Sequence, residues 1–163
     1  MIILGIDPGT ATTGYGVIRG GKDLQCIDYG VIETGAKLPP AERLKIINRE
    51  LDGIIKKHKP SIMAVERLYF FKNLKTAMPV SQAKGVIMFT AAARNLPVRE
   101  FTPPQVKMAV AGYGKADKKQ IQKMVKTLLK LKEEPKPDDA ADALAIAVCC
   151  ASHKSLEERC LGA

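Results

Sequence analysis

The chain has 163 residues, 46% of them hydrophobic, with 26 Lys plus Arg against 17 Asp plus Glu and a formal net charge of +9. That length suits one domain with its own core, and no run reaches the roughly 18 apolar residues that a membrane-crossing helix needs. Met1–Ile6 is too short for a secretion signal, so the expected setting is the cytoplasm; so basic a surface suits a polyanion such as nucleic acid. Cys26, Cys149, Cys150 and Cys160 match neither zinc nor Cys-x-x-Cys spacing, and read as small apolar residues in a reducing compartment.

Residues 1–7 read as a buried strand, followed by the turn Pro8-Gly9-Thr10. Tyr15–Arg19 and Leu24–Glu33 read as two further strands, with Gly20 and Gly21 making a hairpin between them. Leu44, Ile47, Leu51, Ile54, Ile55 and His58 share one face of a helix that Pro60 stops. Ile62–Glu66 is a short buried strand, Arg67–Asn73 a loop, and a helix runs on to about Asn95. Pro97–Phe101 is a fifth strand, and Pro103–Val110 a short helix. Past the loop Gly112-Tyr113-Gly114, Asp117–Lys130 carries the apolar stripe Ile121, Met124, Val125, Leu128 and Leu129. Residues 133–137 connect to a last helix from about Asp138 to Ser152, after which residues 153–163 read as a polar, frayed tail. Hairpin-joined strands followed by alternating strands and helices predict an α/β fold, a mixed sheet with helices on its faces, within a single domain over residues 1–152.

Four acidic residues stand where apolar ones are expected. Asp7 ends the run Met1–Ile6, and Glu66 ends Ile62–Val65. Asp139 and Asp142 begin a helix otherwise made of Ala, Leu, Ile and Val. If the first and fourth strands are parallel neighbours, Asp7 and Glu66 emerge at the same carboxyl end, where sites on α/β sheets gather. Asp139 and Asp142 are three apart and share a helix face. Converging buried carboxylates repel one another and call for a hard cation. An all-oxygen set without His or Cys suits two Mg²⁺ ions, or Mn²⁺, and hence phosphodiester chemistry. Asp138 reads as the helix cap, with no further role.

Two other groups stand out. Tyr69, Phe70 and Phe71 cluster just past Glu66 in a chain that is only 5% aromatic, and are placed to stack on an unpaired base. Lys107, Lys115, Lys118 and Lys119 surround the Gly112–Gly114 loop and a helix N-terminus, a natural phosphate site. Lys123, Lys126 and Lys130 lie opposite the apolar stripe and read as a solvated face.

Several motifs in order resemble the RuvC family of bacterial Holliday-junction resolvases: Gly5-Ile6-Asp7-Pro8-Gly9, Thr13-Gly14-Tyr15-Gly16, Ala64-Val65-Glu66, Lys72-Asn73, Gln82-Ala83-Lys84-Gly85, Gln105-Val106-Lys107, residues 112–118, and residues 139–145. The resemblance implies a ribonuclease-H-like fold on a five-stranded mixed sheet. It implies a homodimer that nicks two opposed strands of a four-way junction, working with RuvA and RuvB. It assigns metal binding and catalysis to Asp7, Glu66, Asp139 and Asp142. DNA contact falls to Lys107 and Lys118, and the junction wedge to Tyr69 with Phe70 beside it. Dimerisation falls to the helix at about Leu74–Asn95. Tyr69 stands where the family usually has Phe, and Met78-Pro79 intrudes near the start of the dimer helix.

Other readings remain. Asp7-Pro8-Gly9-Thr10 also resembles the first phosphate loop of actin-like and sugar-kinase ATPases, but 163 residues leave no room for their second lobe. A non-catalytic junction binder would lack a carboxylate, and none is missing. A single-cut ribonuclease H has less use for the aromatic and basic loops.

Overall fold

The structure, a computed structural model, describes residues 1–67 and 74–161, leaving out the side chains of 74–76 and 154–161. Its elements are β1 (Ile2–Asp7), β2 (Thr12–Arg19), β3 (Gln25–Glu33), α1 (Pro40–His58), β4 (Ile62–Glu66), α2 (Leu74–Ala93), β5 (Val98–Phe101), α3 (Pro103–Ala111), α4 (Lys118–Leu128) and α5 (Asp138–Leu161). The strands form one sheet in the order β3-β2-β1-β4-β5. β1, β2 and β3 pair antiparallel, while β4 and β5 join β1 in parallel. This is the predicted mixed sheet.

Alternation along the central strands supplies both faces. Leu4, Ile6, Val17, Met63 and Val65 pack with Ile47, Leu51 and Ile55 of α1 and Ala83, Ile87 and Ala91 of α2. On the opposite face Ile3, Ile18, Ile62, Ala64 and Phe101 meet α3, α4 and α5. α5 is buried along most of its described side chains, from Ala140 to Ala151. An almost continuously apolar helix is what such a position requires.

Local chemistry sets the helix ends. Lys59 closes α1 in the left-handed region at φ 47, its N–H donating to Ile55 O at 2.8 Å, just before Pro60. Thr102 with Gln105, and Asp117 with Gln120, form reciprocal capping boxes at the starts of α3 and α4. Two boundaries differ by more than two residues from the sequence reading, those of β2 and α5, and α2 keeps its expected start in spite of a proline. β2 begins at Thr12 rather than Tyr15, because Thr12 and Thr13 pair with Glu33 and Ile32. α2 runs through Pro79, which so near a helix start costs about one hydrogen bond. α5 continues to Leu161 instead of stopping at Ser152; its polar last turns hold no Gly or Pro before Gly162.

Close packing of α5 depends on glycines. Gly5 on β1 and Gly14 and Gly16 on β2 all face it. A Cβ on Gly5 would run into the Ala143 carbonyl oxygen, and one on Gly14 into that of Asp139. On Gly16 it would lie 2.8 Å from the Leu144 backbone nitrogen. Backbone cannot yield as a flexible side chain can, so these positions admit only glycine. α5 therefore runs back along β1 with its first turn against the carboxyl end of that strand. Gly14→Ala should force α5 off the sheet and destabilise the protein by at least about 2 kcal/mol, read as a lower denaturant midpoint. An unchanged midpoint would show that the helix can shift freely.

Candidate active site

β1 and β4 place the first two carboxylates. Ile3 and Gly5 face α5, so two residues on Asp7 faces it too; Ile62 and Ala64 do the same for Glu66. The parallel register pairs Gly5 with Ala64 and Ile6 with Val65, bringing Asp7 and Glu66 side by side at the ends of adjacent strands. Asp142 comes from the first turns of α5, which the glycine contacts hold over that same end. Asp7, Glu66 and Asp142 line one cavity of about 260 Å³. Asp139 is half-buried and lies off the cavity wall, but its charge still acts on Asp7.

The rest of the wall is cationic and apolar. Lys107 from α3 and Lys118 from α4 reach it, with Pro103, Val106, Ile121, Ala145 and Ile146 between them. Sequence reasoning placed Ile121 on the apolar stripe of its helix and Val106 only within a motif; their place in the cavity wall follows from how α3, α4 and α5 meet. Lys115 and Lys119 stand exposed in the turn and on the first turn of α4, outside the wall. Tyr69, Phe70 and Phe71, together with Lys72, lie outside the described residues.

The electrostatics are those of a site short of positive charge. Burial first, then the charges of Glu66, Asp142 and Asp139, push the Asp7 carboxyl up to about 8 against the opposing pull of Lys118. Burial and Asp142 raise Glu66 in spite of Lys84 and Lys107. Lys84 is itself engaged by Glu100 of β5. Burial raises Asp142 as well, outweighing the Lys118 ammonium 3.2 Å away. Lys118 also lies 3.2 Å from Asp138, whose other oxygen accepts from Gln122 Nε2 at 2.8 Å. Asp138 is thus tied to α4, which corrects its reading as a mere cap.

Among the described residues no three His, Cys, Asp or Glu side chains converge closely enough to hold one ion. One of the carboxylates, Asp142, is engaged by Lys118 instead. The donor set nevertheless fits a hard divalent cation: the candidate ligands offer only oxygen, and three half-buried carboxylates share one cavity, with the Asp7 carboxyl pushed up to about 8.

That proton has a consequence for stability. Below the ordinary value of 3.8 both folded and unfolded Asp7 are protonated; above it the unfolded chain releases a proton that the folded chain keeps. Stability in the absence of divalent ions should therefore fall as pH rises from 3.8 to about 8, with Glu66 and Asp142 acting in the same direction. Thermal unfolding in chelator across that window should show a declining midpoint for the parent and a flatter profile for Asp7→Asn. Equal slopes would refute the raised Asp7 carboxyl.

The chain is similar to known proteins along almost its whole length. The family model for crossover junction endodeoxyribonuclease RuvC matches residues 3–150. A crossover junction endodeoxyribonuclease RuvC of Pelotomaculum thermopropionicum is 52% identical over 160 residues, covering 98% of each chain. The solved Thermus thermophilus RuvC superposes with a TM-score of 0.90 at 34% identity, covering 96% of this chain and 97% of that one. A structure of T. thermophilus RuvC in complex with Holliday junction substrate gives 0.88 at 31% identity, covering 96% of both.

Proposed function

We infer the function from one premise: the chain belongs to the RuvC family of crossover junction endodeoxyribonucleases. It is an endonuclease that resolves four-way (Holliday) junctions in recombination and repair, nicking two opposed strands. The observation that carries this reading is the cavity that the half-buried Asp7, Glu66 and Asp142 line together with Lys107 and Lys118.

Asp7, Glu66, Asp139 and Asp142 would hold Mg²⁺, with Mn²⁺ as a substitute, two ions to a site. When bound, such ions supply Lewis acidity at the attacking water and at the departing 3′ oxygen. This chain's residues do the rest. The carboxylates fix where the scissile phosphate sits, and the apolar wall of Val106, Ile121 and Ile146 strengthens every charge interaction inside it. Lys107 and Lys118 bind the phosphate, and Lys115 the backbone beyond it. Attack in line leaves a 5′-phosphate and a 3′-hydroxyl. Tyr69, with Phe70, opens the branch point by stacking on an unpaired base.

Paired cutting needs two sites, and α2 supports a homodimer. Met78 and Phe89 are 69% and 67% exposed, with Gln82 and an unobstructed Gly85 between them on the same face. RuvA and RuvB complete the proposed partners. The place of action is the cytoplasm, and no helix among the described residues is long and apolar enough to cross a membrane.

The test is a synthetic four-way junction with labelled strands. The parent protein should nick opposed strands symmetrically in Mg²⁺ and not in chelator. Asp7→Asn should bind the junction with near-parental affinity and lose cutting by about 100-fold or more. Full cutting by Asp7→Asn would remove Asp7 from the ion site, and binding without any cutting by the parent would make the protein a passive binder.

A further inference from the structure

Lys118 occupies the first turn of α4, where the positive end of the helix disfavours an ammonium. Two carboxylates from the first turns of α5 compensate it. Nζ of Lys118 lies 3.2 Å from Oδ2 of Asp138 and 3.2 Å from Oδ2 of Asp142. The two partners differ. Asp142 is the more buried, lines the cavity, and is one of the carboxylates whose charge acts on Asp7. Asp138 is 63% exposed, lies off the cavity wall, and is held from its other oxygen by Gln122, one turn beyond Lys118 on the same helix.

We propose that Asp138 is a positioning residue for Lys118: it keeps the ammonium at the cavity rim when Asp142 turns to a divalent cation. The inference rests on the reading of the carboxylates as an ion site. In the ion-free protein Lys118 neutralises Asp142 and so competes with any cation for it. A cation that captures Asp142 leaves Lys118 facing the positive end of α4. Asp138, anchored independently by Gln122, supplies the remaining counter-charge. Lys118 then needs only to shift its hold from two carboxylates to one, and stays placed to meet a DNA phosphate. Without Asp138 the ammonium has Asp142 alone, and giving it up becomes harder.

The experiment is Mn²⁺ binding without DNA, read from the electron paramagnetic resonance of free Mn²⁺. Five proteins are compared: the parent, Lys118→Met, Asp138→Asn, Asp138→Glu and the double variant of Lys118→Met with Asp138→Asn, each checked for an unchanged circular dichroism spectrum. Lys118→Met should bind Mn²⁺ more tightly, by about threefold or more, because the competing ammonium is gone. Asp138→Asn should weaken binding in the parent and have no effect once Met stands at 118. Asp138→Glu should restore parental binding. Equal weakening by Asp138→Asn in both backgrounds would overturn the proposal, since Asp138 would then act on the ion directly. Unchanged affinity in Lys118→Met would overturn it too, by showing that Lys118 does not compete. Failure of the parent to bind Mn²⁺ at all would instead remove the ion-site reading, and this inference with it.

Discussion

Everything in this molecule that bears on chemistry depends on how closely α5 lies on the sheet. A helix normally stands off a sheet by the length of the side chains between them. Here Gly5, Gly14 and Gly16 remove those side chains, and Ala143 and Ala147 meet the bare backbone of Gly5. The result is a helix start pressed against the carboxyl ends of β1 and β4. Asp142 is thereby held beside Asp7 and Glu66 in a space dry enough that burial leads every other influence on all three. The carboxylates are uncomfortable because the packing is good, and the cation proposed for the site would relieve that discomfort.

The same packing explains why α3 and α4 matter. Both close over α5 on the far side from the sheet's α1–α2 face, and each brings one lysine to the cavity. Their cations only partly offset the carboxylates. Lys118 is split between Asp138 and Asp142, and Lys107 lowers Glu66 without overcoming its burial. A site that is left net acidic inside and ringed by lysines outside suits a polyanion that arrives together with metal ions.

Much of this was legible in the sequence, for physical reasons. A continuous apolar run, Ile62–Val65, closed by Glu66 marks β4 to the residue, and a period of 3.6 marks the face of α1 that buries Ile47, Leu51 and Ile55. A charged residue at the end of an apolar run is a strong anomaly, so Asp7, Glu66, Asp139 and Asp142 could be picked out before any coordinates. What escaped depends on contacts between distant segments. The Lys118–Asp138–Gln122 cluster requires α4 to lie along the start of α5, and nothing local to Asp138 distinguishes it from a helix cap. The glycines of β1 and β2 were visible as a motif, but their cause is a helix well over a hundred residues downstream in the case of Gly14 and Asp139. The length of α5 was missed because polarity was read as fraying where only a stop signal ends a helix.

On the reading proposed above, these carboxylates form one ion site whose local cation, Lys118, gives way. Anomalous scattering from crystals of the protein soaked in Mn²⁺ tests it most directly. The predicted result is a manganese peak bordered by Asp7, Glu66 and Asp142, with Lys118 withdrawn from Asp142 and still paired to Asp138. A peak remote from Asp7, or an ion-loaded site in which Lys118 still holds Asp142, would contradict it.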